Sequence, residues 1–197
     1  MKVRIATEED LDGVTATLTS AFESDPLWGW AFPERRGRET WWRFLANSAL
    51  RYPWTWIVDD YAAVSVWIPP GGAELTVEEE ARIEPLLDEL LGDRAAEVLE
   101  LLKRFEASHP TDRPHYYLSL LATNPDHRGK GIGMALLADN LARIDAEAMP
   151  AYLESSNSAN DPRYERHGFT RIGHFTRPDE QATVSTMWRD RATPAQT

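Results

Sequence analysis

Apolar residues recur along the chain with two periods. Spacings of three and four predict helices, and short alternating or continuous apolar runs predict strands. Val3 to Ile5 reads as a short edge strand. Thr7 with Asp10 forms a capping-box pattern, after which Leu11, Val14, Leu18 and Phe22 share one helical face. Asp25-Pro26 is expected to end that helix, and a second helix is expected around residues 37–51. WTWIVDD and YAAVSVWI alternate like two strands, joined as a hairpin at Asp59-Asp60. Thr76 with Glu79 is another capping box and opens a helix expected to run to Leu91. Gly92 closes it, and a further helix runs to Ala107. HYYLSLLAT (115–123) predicts a central strand buried on both faces. A helix follows, with Leu137, Leu141, Ile144 and Ala148 in helical register. AYLESS is a second central strand, NSANDPRYERHGF a loop and short helix, and FTRIGHF with ATVSTMW a closing hairpin.

The predicted order is β-α-α-β-β-α-α-β-α-β-α-β-β. A helix between the two central strands favours a parallel pair there, and the ends favour antiparallel hairpins. This is an α/β (α+β) class: a mixed, mostly antiparallel sheet with helices on both faces. Residues 1–190 are expected to form a single domain with a helical elaboration at about 75–108, and 191–197 a mobile tail.

Composition narrows the function. The chain has 197 residues, no cysteine, and a net charge of −11. Disulfides, thiolate metal sites and cysteine nucleophiles are excluded, and no metal is expected. The acidic balance argues against a nucleic-acid partner. It suits either a cationic substrate or solubility alone. No apolar stretch suggests a membrane span or signal peptide, so the expected location is cytoplasmic.

Against this acidic background, HRGKGIG (127–133) is basic and glycine-rich, and it lies between a strand and a helix. Unpaired N–H groups and partial positive charge gather at a helix start, and glycines let an anion reach them. Arg128 and Lys130 add formal charge. The segment fails the GxxxxGK[ST] nucleotide-loop pattern and the GxGxxG dinucleotide pattern, because position 134 is Met. What remains is Arg128-x-x-Gly131-x-Gly133.

That pattern resembles the acetyl-CoA signature [RQ]-x-x-G-x-[GA] of the GCN5-related N-acetyltransferases. The likeness continues through YLES, Asn157, Asn160, Tyr164-Glu165 and Gly168-Phe169, covering about residues 115–175. The hairpin at 54–68 and Asp25-Pro26 also resemble puromycin N-acetyltransferase and its bacterial relatives, so a role in antibiotic resistance is conceivable. The resemblance implies the family's fold, with its central parallel strands splayed. It implies coenzyme A held by backbone at Gly129, Lys130, Gly131, Ile132 and Gly133 and by Arg128. Leu121, Ala122 and Thr123 would meet the pantetheine arm, and Asn160 would bond the cofactor. The matching tyrosine of the family points its hydroxyl at the thioester sulfur, which implies Tyr164 as general acid.

The reaction implied is acetyl transfer from acetyl-CoA to a primary amine of a small molecule, without a covalent enzyme intermediate. A protein or peptide acceptor and a non-catalytic acyl-CoA-binding regulatory module are the alternatives. The family's early-strand glutamate is replaced here by His115-Tyr116-Tyr117. Glu154 is the best remaining carboxylate for a base, directly or through water, with a structural role equally open. His115 is a weaker base candidate, and Tyr117 is a poor base at neutral pH. Trp28, Trp30 and Tyr117 are expected to line the acceptor pocket, for an amine that is cationic and has an apolar body.

Overall fold

The computed structural model describes residues 2–191; the expected tail lies, from residue 192 on, outside them. The elements are β1 (Val3–Ile5), α1 (Leu11–Ala21), α2 (Trp28–Ala31), α3 (Arg35–Ala49), β2 (Thr55–Val58), β3 (Ala63–Ile68), α4 (Val77–Glu80), α5 (Ile83–Leu91), α6 (Ala95–Ser108), β4 (Tyr116–Thr123), α7 (Ile132–Ala146), β5 (Ala151–Ser155), α8 (Asp161–Glu165), β6 (Thr170–Thr176) and β7 (Thr183–Arg189). The strands form one seven-stranded sheet in the order β1-β2-β3-β4-β5-β7-β6. All neighbours are antiparallel except β4 and β5. This is the mixed sheet that the pattern implied.

Each sheet face carries its own apolar core. On one, Val14 and Leu18 of α1, Trp41, Trp42 and Leu45 of α3, and Val98 and Leu101 of α6 pack on Ile57, Val64, Val66 and Leu120. On the other, Leu136, Leu137, Leu141 and Ile144 of α7 pack on Val58, Trp67 and Leu118. Asn140 fixes α7 on this face: its side-chain oxygen accepts from Ser65 Oγ (2.6 Å) and Trp67 Nε1 (2.9 Å).

Five expectations need correction. β2 and β3 are buried along their whole length, because both cores cover them, so their apparent alternation does not mark a solvated face. β4 is the reverse: one face is buried and the other only partly so, because cavities open along it. The helix expected from Thr76 to Leu91 breaks at Ala81-Arg82. Pro85 has no N–H to donate back, so the chain restarts and places it in the first turn of α5. Ala148 lies past the end of α7 with φ 53° and is exposed. α1 ends at Ala21, before Asp25-Pro26, and Asp25 instead starts α2 by accepting the N–H groups of Leu27 and Trp28 (2.9 Å each).

The feature that positions the site is a bulge. Val66 faces Leu120 and the next residue, Trp67, faces Leu118, which leaves Ser119 as an extra residue in β4. A bulge bends its strand and raises its twist. β4 pairs with β5 from Tyr116↔Ala151 to Leu118↔Leu153, and the register stops there. Ser119 and Glu154 are therefore the first residues beyond the fork where the parallel strands part.

Candidate active site

Two cavities flank the free half of β4. Leu120 lines one and Leu121, the next residue, lines the other.

The first cavity, about 630 Å³, is walled by Leu121, Ala122 and Thr123 of β4, by Arg128, Gly129, Gly131, Ile132 and Gly133, and by Asn160 and Tyr164 across the fork. Gly129 (φ 77°) and Gly131 (φ 74°) adopt left-handed backbone, and a Cβ on either would meet open space. Gly131 caps α7 with no side chain, so the first N–H groups of a fifteen-residue helix face outward without an intrahelical partner. The open space, bare backbone and positive helix end fit a pyrophosphate. Gly133 serves packing instead, since a Cβ there would collide with Thr123 Oγ1.

Arg128 reaches back to α1, donating to Ala21 O (2.7 Å) and Ser24 Oγ (3.4 Å), and so joins the glycine loop to that helix's negative end. Lys130 is outside the wall, and its ammonium donates to Asp126 O (3.1 Å). Asn160 Oδ1 accepts from Arg163 (2.9 Å). Tyr164 packs edge-on to Phe169, and burial, reinforced by Asp25, pushes its hydroxyl up to about 12. Asp25 also lines this cavity and accepts from Ser156 Oγ (2.8 Å).

The second cavity, about 900 Å³, has apolar walls that include Trp28, Trp41, Leu120 and Phe105. At its fork end stand Glu154, Glu74, Tyr117, Ser119, His109 and His115. The Glu154 side chain is 2% exposed; the hydroxyls of Tyr117 and Tyr152 interact with it and His109 Nδ1 lies 3.7 Å from its Oε1, but among the described residues none of these contacts is a well-formed hydrogen bond. Glu74 accepts from Ser119 Oγ, and burial raises its carboxyl, with Glu154 adding to the effect. Tyr117 is raised well above its usual value by burial and by Glu154, so its proton is firmly held.

The structure therefore gathers all ten expected cofactor residues except Lys130 around the first cavity, together with Tyr164. It places Glu154, Tyr117 and Trp28 around the second. Trp30 is in neither wall; it lies between the guanidinium groups of Arg94 and Arg177, at 5.1 and 4.8 Å. Glu74, Ser119 and His109 went unnoticed in the sequence. His109 and His115 bracket two prolines, a turn pattern that could have paired them; Glu74, between a Gly-Gly turn and a capping box, offers no such cue.

Residues 94–171 match the model of the acetyltransferase (GNAT) domain. An uncharacterized N-acetyltransferase of Schizosaccharomyces pombe is 26% identical over 155 residues, 69% of this chain; the chain spans 59% of that curated relative's length. A crystal structure from Corynebacterium glutamicum, described as histone acetyltransferase HPA2 and related acetyltransferase, is 25% identical with TM-score 0.69, covering 99% of this chain and 98% of its own. Arylalkylamine N-acetyltransferase 2 of Aedes aegypti shares the fold at 15% identity, with TM-score 0.71 over 97% of this chain and 99% of its own. The chain thus has the fold of the GNAT acetyltransferases, and its residues 94–171 carry the match to that domain.

Proposed function

We propose that residues 1–190 form one acetyl-CoA-dependent N-acetyltransferase domain, which moves an acetyl group to the primary amine of a small cationic molecule by direct attack. One observation carries this reading: a glycine-lined helix start and an acidic, apolar-walled cavity lie on the two sides of β4 just past its bulge. Acetyl-CoA supplies, when bound, an activated acetyl group on a thioester.

This chain's residues then have separate tasks. The α7 N-terminus, with Arg128, binds the pyrophosphate, and Leu121, Ala122, Thr123 and Asn160 hold the arm along the fork. Tyr164 keeps its proton across the neutral range and can give it to the leaving sulfur. Glu154 draws the acceptor's ammonium to the fork, because a buried carboxylate with no cation in well-formed hydrogen-bond contact gains most from one. Trp28 and Tyr117 supply flat walls for the amine's apolar body. The buried Glu154 at the fork favours catalysis over a non-catalytic binding module, and the walled cavity favours a small acceptor over a protein.

Thiol release from acetyl-CoA, measured across a panel of primary amines, tests the reading. Amine-dependent release is expected, with cationic amines bearing aromatic bodies the best. Puromycin-like aminonucleosides are natural first members, given the resemblance of the 54–68 hairpin. Release that no amine stimulates would oppose the reading.

A further inference from the structure

The acceptor must lose a proton before it attacks, and the fork end of the second cavity contains a chain of groups whose protons can be assigned by elimination. His115 Nδ1 lies 2.9 Å from Arg113 O. A carbonyl can only accept, so His115 Nδ1 carries the hydrogen. Burial lowers His115 below the usual histidine value, which keeps it neutral. Its Nε2 therefore holds a lone pair. That lone pair faces His109 Nε2 at 3.2 Å, so His109 must donate from Nε2. Neutral His109 then has its own lone pair on Nδ1, and Nδ1 lies 3.7 Å from Glu154 Oε1. Two acceptors face each other across a gap too wide for a hydrogen bond between them.

Such a gap suits a donor that can serve both sides. The His109 ring is fixed in orientation by edge-on contacts with Tyr117 (4.8 Å) and Tyr152 (5.1 Å), and its side chain is still 32% exposed toward the cavity. Tyr152 donates to Ser108 O (3.2 Å), and its hydroxyl and that of Tyr117 act on Glu154, which leaves the His109 side of the gap without a donor. The titratable groups around the ring are His115, Tyr117, Tyr152, Glu154 and Glu74. Both tyrosines are raised and hold their protons, and both carboxylates favour a cation at His109.

We propose that His109 is the group that takes the acceptor's proton, that His115 fixes it in the tautomer able to do so, and that Glu154 stabilises the resulting imidazolium. The proposal rests on the acetyltransferase reading. It moves the base role expected of Glu154 one residue away, and Glu154 and His115 become positioning residues. The ammonium gives one proton to His109 Nδ1. The freed lone pair forms the C–N bond, and the thioester C–S bond breaks with its electrons on sulfur, which Tyr164 protonates. The new amide nitrogen sheds its second proton, restoring Tyr164 through the departing product and solvent. His109 returns its proton to solvent through the open cavity.

The test uses phenylethylamine and its less basic β,β-difluoro analogue, with wild type and His109→Gln, across pH. Wild-type kcat/KM should rise with pH. His109→Gln should fall by about 10²-fold or more with phenylethylamine at neutral pH. It should fall by less than about 10-fold with the difluoro analogue, which supplies a neutral amine on its own. The KM for acetyl-CoA should hold in both cases. Equal losses with both amines, or an unchanged pH profile, would overturn the proposal and leave the acetyltransferase reading standing. Where another amine of the panel is the better acceptor, the same comparison is made with it and its less basic fluorinated analogue; failure of the wild type on the whole panel would instead defeat that reading together with the proposal. A second measurement needs no turnover: long-range ¹⁵N spectra of histidine-labelled wild type should show the neutral His109 ring protonated at Nε2. Protonation at Nδ1 would overturn the proposal.

Discussion

Tyr164 and Glu74 show how much a single residue reveals before and after folding. The place of Tyr164 beside the glycine loop was legible because its neighbours, Asn160 and Tyr-Glu-x-x-Gly-Phe, are contiguous in the chain. Tyr164→Phe removes one hydroxyl and keeps the ring against Phe169. Turnover should drop by about 10²-fold while acetyl-CoA affinity holds, read from kcat beside a calorimetric titration. Near-normal turnover with chemistry rate-limiting would contradict the assignment. Glu74 was not legible, because its importance comes from Ser119 and Glu154, which are distant in sequence. Its carboxyl is raised in the folded chain, so folding binds its proton more tightly. The stability tied to that proton is present below the ordinary value of 4.5 and is lost as pH rises through the raised value. Glu74→Gln should therefore be the more stable protein by on the order of 1 kcal/mol near neutrality, with the gap closing toward about pH 4. It should also bind cationic acceptors more weakly. Thermal melts at several pH values check this; a gap that is absent or reversed at neutral pH would contradict the burial argument.

Among the elements, periodicity located nearly every helix and strand, and it failed where two partners compete for one segment. HYYLSLLAT is mostly apolar and reads as one unbroken strand, so nothing in it marks Ser119 as the bulged residue; the bulge exists only relative to Val66 and Trp67 of β3. The break at Ala81-Arg82 had a visible cause in Pro85, which the capping box at Thr76 obscured. The glycine loop combines two different demands. Gly129 and Gly131 answer to left-handed backbone beside open space, and Gly133 answers to Thr123. Gly133→Ala should force α7 away from β4 and cost about 1–3 kcal/mol, the usual range for overpacking. Adding Thr123→Ala should recover most of that loss. Denaturant midpoints for the two single variants and the double variant measure the coupling; simple additivity would mean that the contact does not set the helix position.

At the scale of the molecule, the sheet's two cores leave one place where neighbouring strands part, and both cavities open beside it. The acidic balance of the sequence has a local counterpart in Glu74 and Glu154, while the basic loop stands apart at the start of α7. That separation of charge across β4 was beyond the reach of the sequence, since a net charge of −11 says nothing about where the carboxylates face. On the proposed reading, it suits a polyanionic donor on one side and a cationic acceptor on the other. The most direct measurement of this account follows the acetyl group itself. Acetyl-CoA carrying a ¹³C-labelled acetyl group is incubated with the amine panel and the wild type, or with Gly131→Asp, whose carboxylate would repel the pyrophosphate. Mass spectrometry should find the label on a cationic amine with the wild type and on none with the folded variant. Label that reaches no amine, or that reaches the same amine equally well with Gly131→Asp, would contradict the account.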